Sequence, residues 1–321
     1  MKFAEFPYER PDLQTAMAQL DTLSRSIAGA PTAEDAKKAF LSFEEIAERI
    51  GSLSAICYVR HTVNTRDLFY EKENAFWDEN LPLFTDKQLD IYRTMLSSPH
   101  RPALEKDLGK LLFTKMEIDV KSADPSIIPL MQEENGLQTE YQQLYASAQI
   151  PFAGKILTVA QLTPYKQDPD RAVRKAAFEA EGRFFDENQE KFDEIYDKLV
   201  KNRTAQARLL GYENYVELGY YRMNRNSYGR EEVENFRRQI KEYFVPLAEK
   251  MHERRRERLG LQKLSYIDEN MYFVDGNPKP QGTPEEIMAN GQKMYEELSP
   301  ETKEFFDFMM ENELFDVLGR K

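Results

Sequence analysis

The sequence predicts a mainly α protein with one small β-hairpin, and three observations carry that prediction. Apolar residues recur at helical spacing along nearly the whole chain, helix starts and stops carry capping chemistry, and β-prone runs gather in a single short stretch. The 321 residues are 41% hydrophobic, with 20 Phe and 17 Tyr, which is enough to build a sizeable core and too aromatic for disorder.

Each predicted start places a side chain where it can accept from the first free N–H groups of a helix. Thr32 with Asp35, Asp168 followed by Pro169, Thr283-Pro284 with Glu286, and Ser299-Pro300 are such starts. Gly211 and Gly260 each follow a helical run, where a left-handed residue ends the helix. Two stripes, Val173, Ala177, Ala180, Phe184 and Val233, Phe236, Ile240, Phe244, Leu247, Met251, have one-face spacing and predict core-facing helices. Between Ala146 and Gln167, short β-prone runs around Pro151 and Gly154 predict the hairpin. Residues 274–282, rich in Gly and Pro, predict a loop.

The last predicted helix runs from Pro300 to Leu318. Phe305, Phe306, Phe308, Met309, Met310, Leu314 and Phe315 fall on more than one of its faces, which predicts burial on all sides. That burial is expected from neighbouring helices of this chain or from a further C-terminal half beyond Gly319-Arg320-Lys321. With no internal repeat near 34 or 40 residues, the chain divides into a helical region over 1–145, a hairpin and linker over 146–167, and a second helical region over 168–321.

The formal net charge of −12 repels phosphate backbones and anionic bilayers, so neither nucleic acid nor a membrane is an expected partner. The start, Met1 to Tyr8, lacks an apolar signal core, and about 18 consecutive apolar residues occur nowhere. Cys57, the single cysteine, excludes an internal disulfide and fits a reducing, cytoplasmic setting.

With three histidines, a histidine-based metal site can be enumerated. His252-Glu253 opens like the zincin motif H-E-x-x-H, but position 256 is Arg and the run Glu253-Arg254-Arg255-Arg256-Glu257-Arg258 reads as a solvated, charged helix end. His61 has no second His or Cys that makes a recognisable metal pair with it and reads as a hydrogen-bonded structural histidine, and His100 as a loop residue. Nucleophile elbows and phosphate loops are missing, and Cys57 sits in an apolar run that predicts a buried, inert thiol. The densest polar-aromatic cluster lies between Leu218 and Arg230. Its Tyr220, Tyr221, Arg222, Asn224 and Arg225 suit a wall that grips peptide amides and carboxylates; a polar turn between helices would use the same residues.

Three runs, Ile56 to Asp67, Asp168 to Ala177 and Leu210 to Tyr220, resemble the oligoendopeptidase F family, zinc peptidases related to thimet oligopeptidase and to the peptidases of Bacillus-type bacteria. The likeness continues through Leu298 to Thr302 and Glu313 to Asp316, covering essentially the whole chain in order. It implies a multi-helix zincin-type lobe that forms one wall of a deep channel and admits short, unfolded peptides. It also implies Zn2+ bound by H-E-x-x-H and a downstream Glu, with the Glu of the motif as general base. In relatives that motif follows a Gly-Lys-rich stretch beyond the matched region, so no catalytic or metal-binding residue is assigned in this chain. The expected partners are short peptides and a C-terminal catalytic remainder, covalent or nicked; the chain alone is expected to be inactive. An ending at Arg320-Lys321 is expected of nicking, truncation or design. The alternative is a non-catalytic helical module that binds peptide or protein, with a carboxylate-based helical enzyme ranking last.

Overall fold

The computed structural model describes residues 1–317 and is mainly α, as the spacing predicts. In chain order the first six helices are α1 Leu13–Ala28, α2 Ala33–Val63, α3 Leu68–Ser97, α4 Arg101–Leu108, α5 Lys110–Ser122 and α6 Ile128–Ala146. The hairpin β1 Ile150–Phe152 and β2 Lys155–Leu157 follows, then α7 Arg171–Glu187, α8 Gln189–Leu209 and α9 Tyr215–Arg222. The last four helices are α10 Arg230–Gln239, α11 Val245–Arg258, α12 Pro284–Leu298 and α13 Pro300–Glu311. The chain forms two compact units, each assembled from separated segments: a larger one from residues 8–146 and 188–240, and a smaller one from 1–7, 147–187 and 241–321.

In the larger unit, α1, α2 and α3 pack side by side, and Phe40, Phe43, Phe84 and Phe113 are fully buried between them and α5. Helix α2 begins as predicted, with Thr32 accepting from the Asp35 N–H. Helix α3 runs through Pro82, whose missing N–H leaves the Asp78 carbonyl without its helical donor; Asn135 of α6 supplies one at 3.1 Å, and Gln132 does the same for the Glu79 carbonyl at 2.6 Å. An interior proline thus fixes where α6 docks.

Cys57 is buried, and burial pushes its thiol up to about 11, in keeping with an inert cysteine. His61 corrects the sequence reading: it is buried, but neither ring nitrogen has a hydrogen-bond partner among the described residues. Four residues on from Cys57, it falls on the apolar face of α2, which supplies no acceptor. His100 lies in the α3–α4 loop with Nε2 at 3.0 Å from the Ala30 carbonyl.

In the smaller unit, β1 and β2 pair antiparallel with Ile150 opposite Leu157. Ala153 and Gly154, both at positive φ, make the two-residue turn, a geometry that matches strand twist. The hairpin packs on Ala177 and Ala180 of α7, the predicted stripe. Helix α7 starts slightly later than expected: Asp168 accepts from the Asp170 N–H, and Asp170 in turn accepts from Ala172. Gly211, in the larger unit, and Gly260, in the smaller, sit at φ 87° and 63° and end α8 and α11 as read from the sequence. Thr283 and Ser299 cap α12 and α13 as predicted.

Two expectations fail on burial. Phe236 of the Val233–Met251 stripe is 62% exposed in the larger unit, while Leu247 and Met251 on α11 are 53% and 62% exposed in the smaller. Between α10 and α11 a π turn, Ile240–Phe244, breaks the regular period, because Pro246 cannot donate back into the preceding turn. The last helix stops at Glu311, seven residues before the predicted end, since Asn312 and a left-handed Glu313 close it; predicted Leu318 and the Gly319-Arg320-Lys321 ending lie outside the described residues. Phe306 alone on α13 is buried, stacked on Tyr295 of α12 at 4.6 Å; Phe305 and Phe308 remain exposed, so the helices of this chain do not cover them among the described residues.

Candidate functional site

Helix α9 in the larger unit carries the predicted cluster. Asn214 caps it by accepting from the Val216 N–H at 2.9 Å, and Gly219 is buried with no room to spare: a Cβ there would meet the Tyr215 ring at 3.3 Å. The helix is anchored from below by Glu134 of α6. This buried carboxylate accepts from Arg203 at 2.7 Å, Gln206 at 2.8 Å and Arg222 at 3.1 Å. Burial opposes its ionisation, but the Arg203 and Gln206 hydrogen bonds and the Arg222 charge outweigh that and hold its pKa below the ordinary carboxylate value.

The structure brings together three of the five predicted side chains. Tyr220, Tyr221 and Arg225 line one cavity of about 370 Å3, with Glu213, Glu217 and Tyr228 as further walls. Past the end of α9 the chain reverses at Asn224, φ 54°, which lets the Arg225 N–H reach the Tyr220 carbonyl at 3.2 Å. The Arg225 guanidinium then lies 4.4 Å from the Tyr220 ring centre and 5.7 Å from that of Tyr228. Tyr221 donates to Glu217 at 3.2 Å, and burial together with that carboxylate raises its pKa. Arg222 points instead to Glu134 and Gln206, and Asn224 makes the turn without lining the cavity.

Glu213 and Glu217 were missed from the sequence. Glu217 stands four residues before Tyr221, the spacing that places two helical side chains together, so a signal was there. The arrangement offers a cation stacked on two phenol rings, phenol donors and two carboxylates around one concave space, which suits the amides and charged ends of a peptide. Among the described residues, no three His, Cys, Asp or Glu side chains are grouped to hold a metal ion. His252 lies on α11 with Nδ1 at 2.8 Å from Arg255.

Two family profiles match the chain: Peptidase M3 N-terminal domain over residues 3–123 and Peptidase family M3 over residues 164–280. PZ peptidase A, solved with an inhibitor, is 46% identical with a TM-score of 0.98, and the match covers 100% of this chain and 57% of that one. A crystal structure assigned as oligoendopeptidase F matches at 45% identity and TM-score 0.98 over 100% and 57%. Another so assigned, from Bacillus anthracis str. Ames, matches at 41% and 0.97 over 100% and 59%. The chain thus spans under two thirds of the length of these relatives. No curated protein sequence gives a significant match. By profile, identity and fold together, the chain belongs to the oligoendopeptidase F family of M3 peptidases.

Proposed function

We propose that this chain is part of a zinc-dependent endopeptidase that hydrolyses short oligopeptides in an enclosed channel, and that it supplies a helical wall of that channel. The observation that carries the proposal is the match along its entire length, at 41–46% identity, to structures described as PZ peptidase A and oligoendopeptidase F. The described residues do not fit a zinc ion, since no suitable group of ligands converges. We therefore place the metal in the additional length that the relatives possess, and assign no catalytic step to a residue of this chain.

The role of this chain is then binding and positioning. Arg225, held over Tyr220, takes a peptide carboxylate, while Tyr220 and Tyr221 hydrogen-bond backbone amides. Region 168–321 leads toward the catalytic remainder, and the exposed Leu247, Phe305 and Phe308 are the surface on which that remainder packs. The chain alone is inactive, and it works in the cytoplasm on peptides, without nucleic acid or membrane.

Native mass spectrometry and a fluorogenic peptide assay test this. The expected result is a 321-residue chain that retains no zinc and cleaves nothing, and that gains both properties when a polypeptide carrying the relatives' additional length is added. Zinc-dependent cleavage by the chain alone would sink the assignment. The second reading, a binding module, is favoured by the completeness of the α9 cavity within this chain; it requires peptide binding without hydrolysis in either preparation.

A further inference from the structure

The smaller unit buries two arginines in opposite circumstances. Arg174 faces the fully buried Asp268 at 2.9 Å, and its other N–H groups end on the carbonyls of Ile267, Asp168 and Pro169. Arg255, 9% exposed, meets no carboxylate among the described residues. Its Nη1 donates to the backbone carbonyl of Glu269, its Nη2 donates to His252 Nδ1 at 2.8 Å, and its buried Nε has no partner among the described residues. A buried cation without a counter-charge is strongly unfavourable.

Its surroundings add to the imbalance. Arg254 forms no ion pair among the described residues. Arg258 donates to the Tyr272 carbonyl at 3.1 Å and lies 5.0 Å from the Phe273 ring centre, again without a carboxylate. The acids interleaved on the helix do not compensate, because Arg256 takes both Glu253 at 2.7 Å and Glu257 at 3.8 Å. Arg254, Arg255, Arg258, His252 and Tyr272 together line a cavity of about 490 Å3 on which Glu269 is the one carboxylate. Since Arg255 can only donate, His252 accepts at Nδ1, which puts its ring proton on Nε2 as a further donor. The charged helix end is solvated as read from the sequence at Glu253, Arg254, Glu257 and Arg258, with the exception of Arg255, which is buried at the back of a concave, net positive pocket.

We propose that this cavity is an anion site for a multiply charged phosphate-type oxyanion, free or carried on a small organic molecule. Three guanidinium groups against one carboxylate leave two charges unmatched, which a monocarboxylate would only half neutralise. A diphosphate group supplies both the charge and acceptors in several directions, and guanidinium forks match its oxygens. The chain as a whole carries −12, so general attraction for anions is excluded and saturable binding has to come from a local pocket of this kind. The inference is independent of the peptide-binding reading of α9.

Isothermal titration of the whole 321-residue protein with inorganic pyrophosphate, against sodium chloride at equal ionic strength, tests it. One saturable site is expected for pyrophosphate and none for chloride. Arg254→Gln with Arg258→Gln should weaken binding about tenfold or more, since each removes a charge-assisted hydrogen bond. Glu269→Gln, which removes the opposing charge, should tighten it roughly threefold, a gain that a merely structural role does not produce. An adenine diphosphate nucleotide run in parallel separates the sources: tighter binding than pyrophosphate assigns an organic phosphate, equal or weaker binding the free anion. Circular dichroism checks that the variants are folded, and if the double variant unfolds, Glu269→Gln decides. No saturable site in the wild type, or unchanged affinity in the folded variants, overturns the proposal.

Discussion

The larger unit and the final helices of the smaller one place their aromatic side chains differently. Phe40, Phe43, Phe84 and Phe113 are 2% exposed or less, whereas Phe305 and Phe308 on α13 are more than half exposed although their helix has similar apolar spacing. Periodicity tells which side chains share a face; burial needs a second element on that face, and α1, α2, α3 and α5 supply one where α12 covers Phe306 alone.

This contrast orders the effects of substitution. Phe43→Ala should cost about 3–5 kcal/mol in urea denaturation, the usual cost of a cavity in a sealed core. A cost under 1 kcal/mol would mean that the larger core is as loosely filled as the α12–α13 pair. Next comes Glu134→Gln, which leaves Arg203, Arg222 and Gln206 with weakened acceptors; about 1–3 kcal/mol is expected, discounted because both arginines are partly exposed. Because the pKa of Glu134 is lowered in the folded state, its share of stability is present above the ordinary carboxylate value and is lost as pH falls through the lower, folded one. Wild type and variant should therefore converge in stability on acidification, and curves that stay parallel would show that the pairs contribute nothing. Arg225→Ala, in a preparation that includes the catalytic remainder, should raise KM by roughly fivefold or more with zinc content unchanged. Phe305→Ser should change stability by less than about 0.5 kcal/mol while reducing binding of a hydrophobic dye. A large loss there would show that α13 is better packed than its exposure indicates.

Much of the architecture was legible because it is local chemistry. The Thr32, Thr283 and Ser299 caps, the glycine stops at Gly211 and Gly260, and the Ala153-Gly154 turn each depend on a few adjacent residues. What escaped depends on distant segments. No local pattern shows that residues 188–240 complete a unit begun at residue 8, or that Asn135 covers a carbonyl freed by Pro82. In the candidate site, residue type grouped Tyr220, Tyr221, Arg222, Asn224 and Arg225 as one wall; the fold gathers Tyr220, Tyr221 and Arg225 around one cavity, whereas Arg222 turns to a buried Glu134 88 positions earlier, which no local pattern shows. Arg255 escaped for the same reason: a run of arginines looks solvated until the carbonyl of Glu269 and the ring of Tyr272 close over one of them.

The separation of Glu134 from its partners also has a schedule. Arg203 follows it by 69 residues and Arg222 by 88, so at about 5–20 residues per second the growing chain carries this carboxylate without a counter-charge from either arginine for roughly 3–18 seconds, with Gln138 as its local donor. Until α8 and α9 emerge, α6 is held on α3 by the Asn135, Gln132 and Thr139 hydrogen bonds and by its apolar contacts, with no ion pair to Glu134. Nascent chains arrested shortly after residue 146 should accordingly be cut readily by protease within α6, while chains arrested well past residue 222 resist.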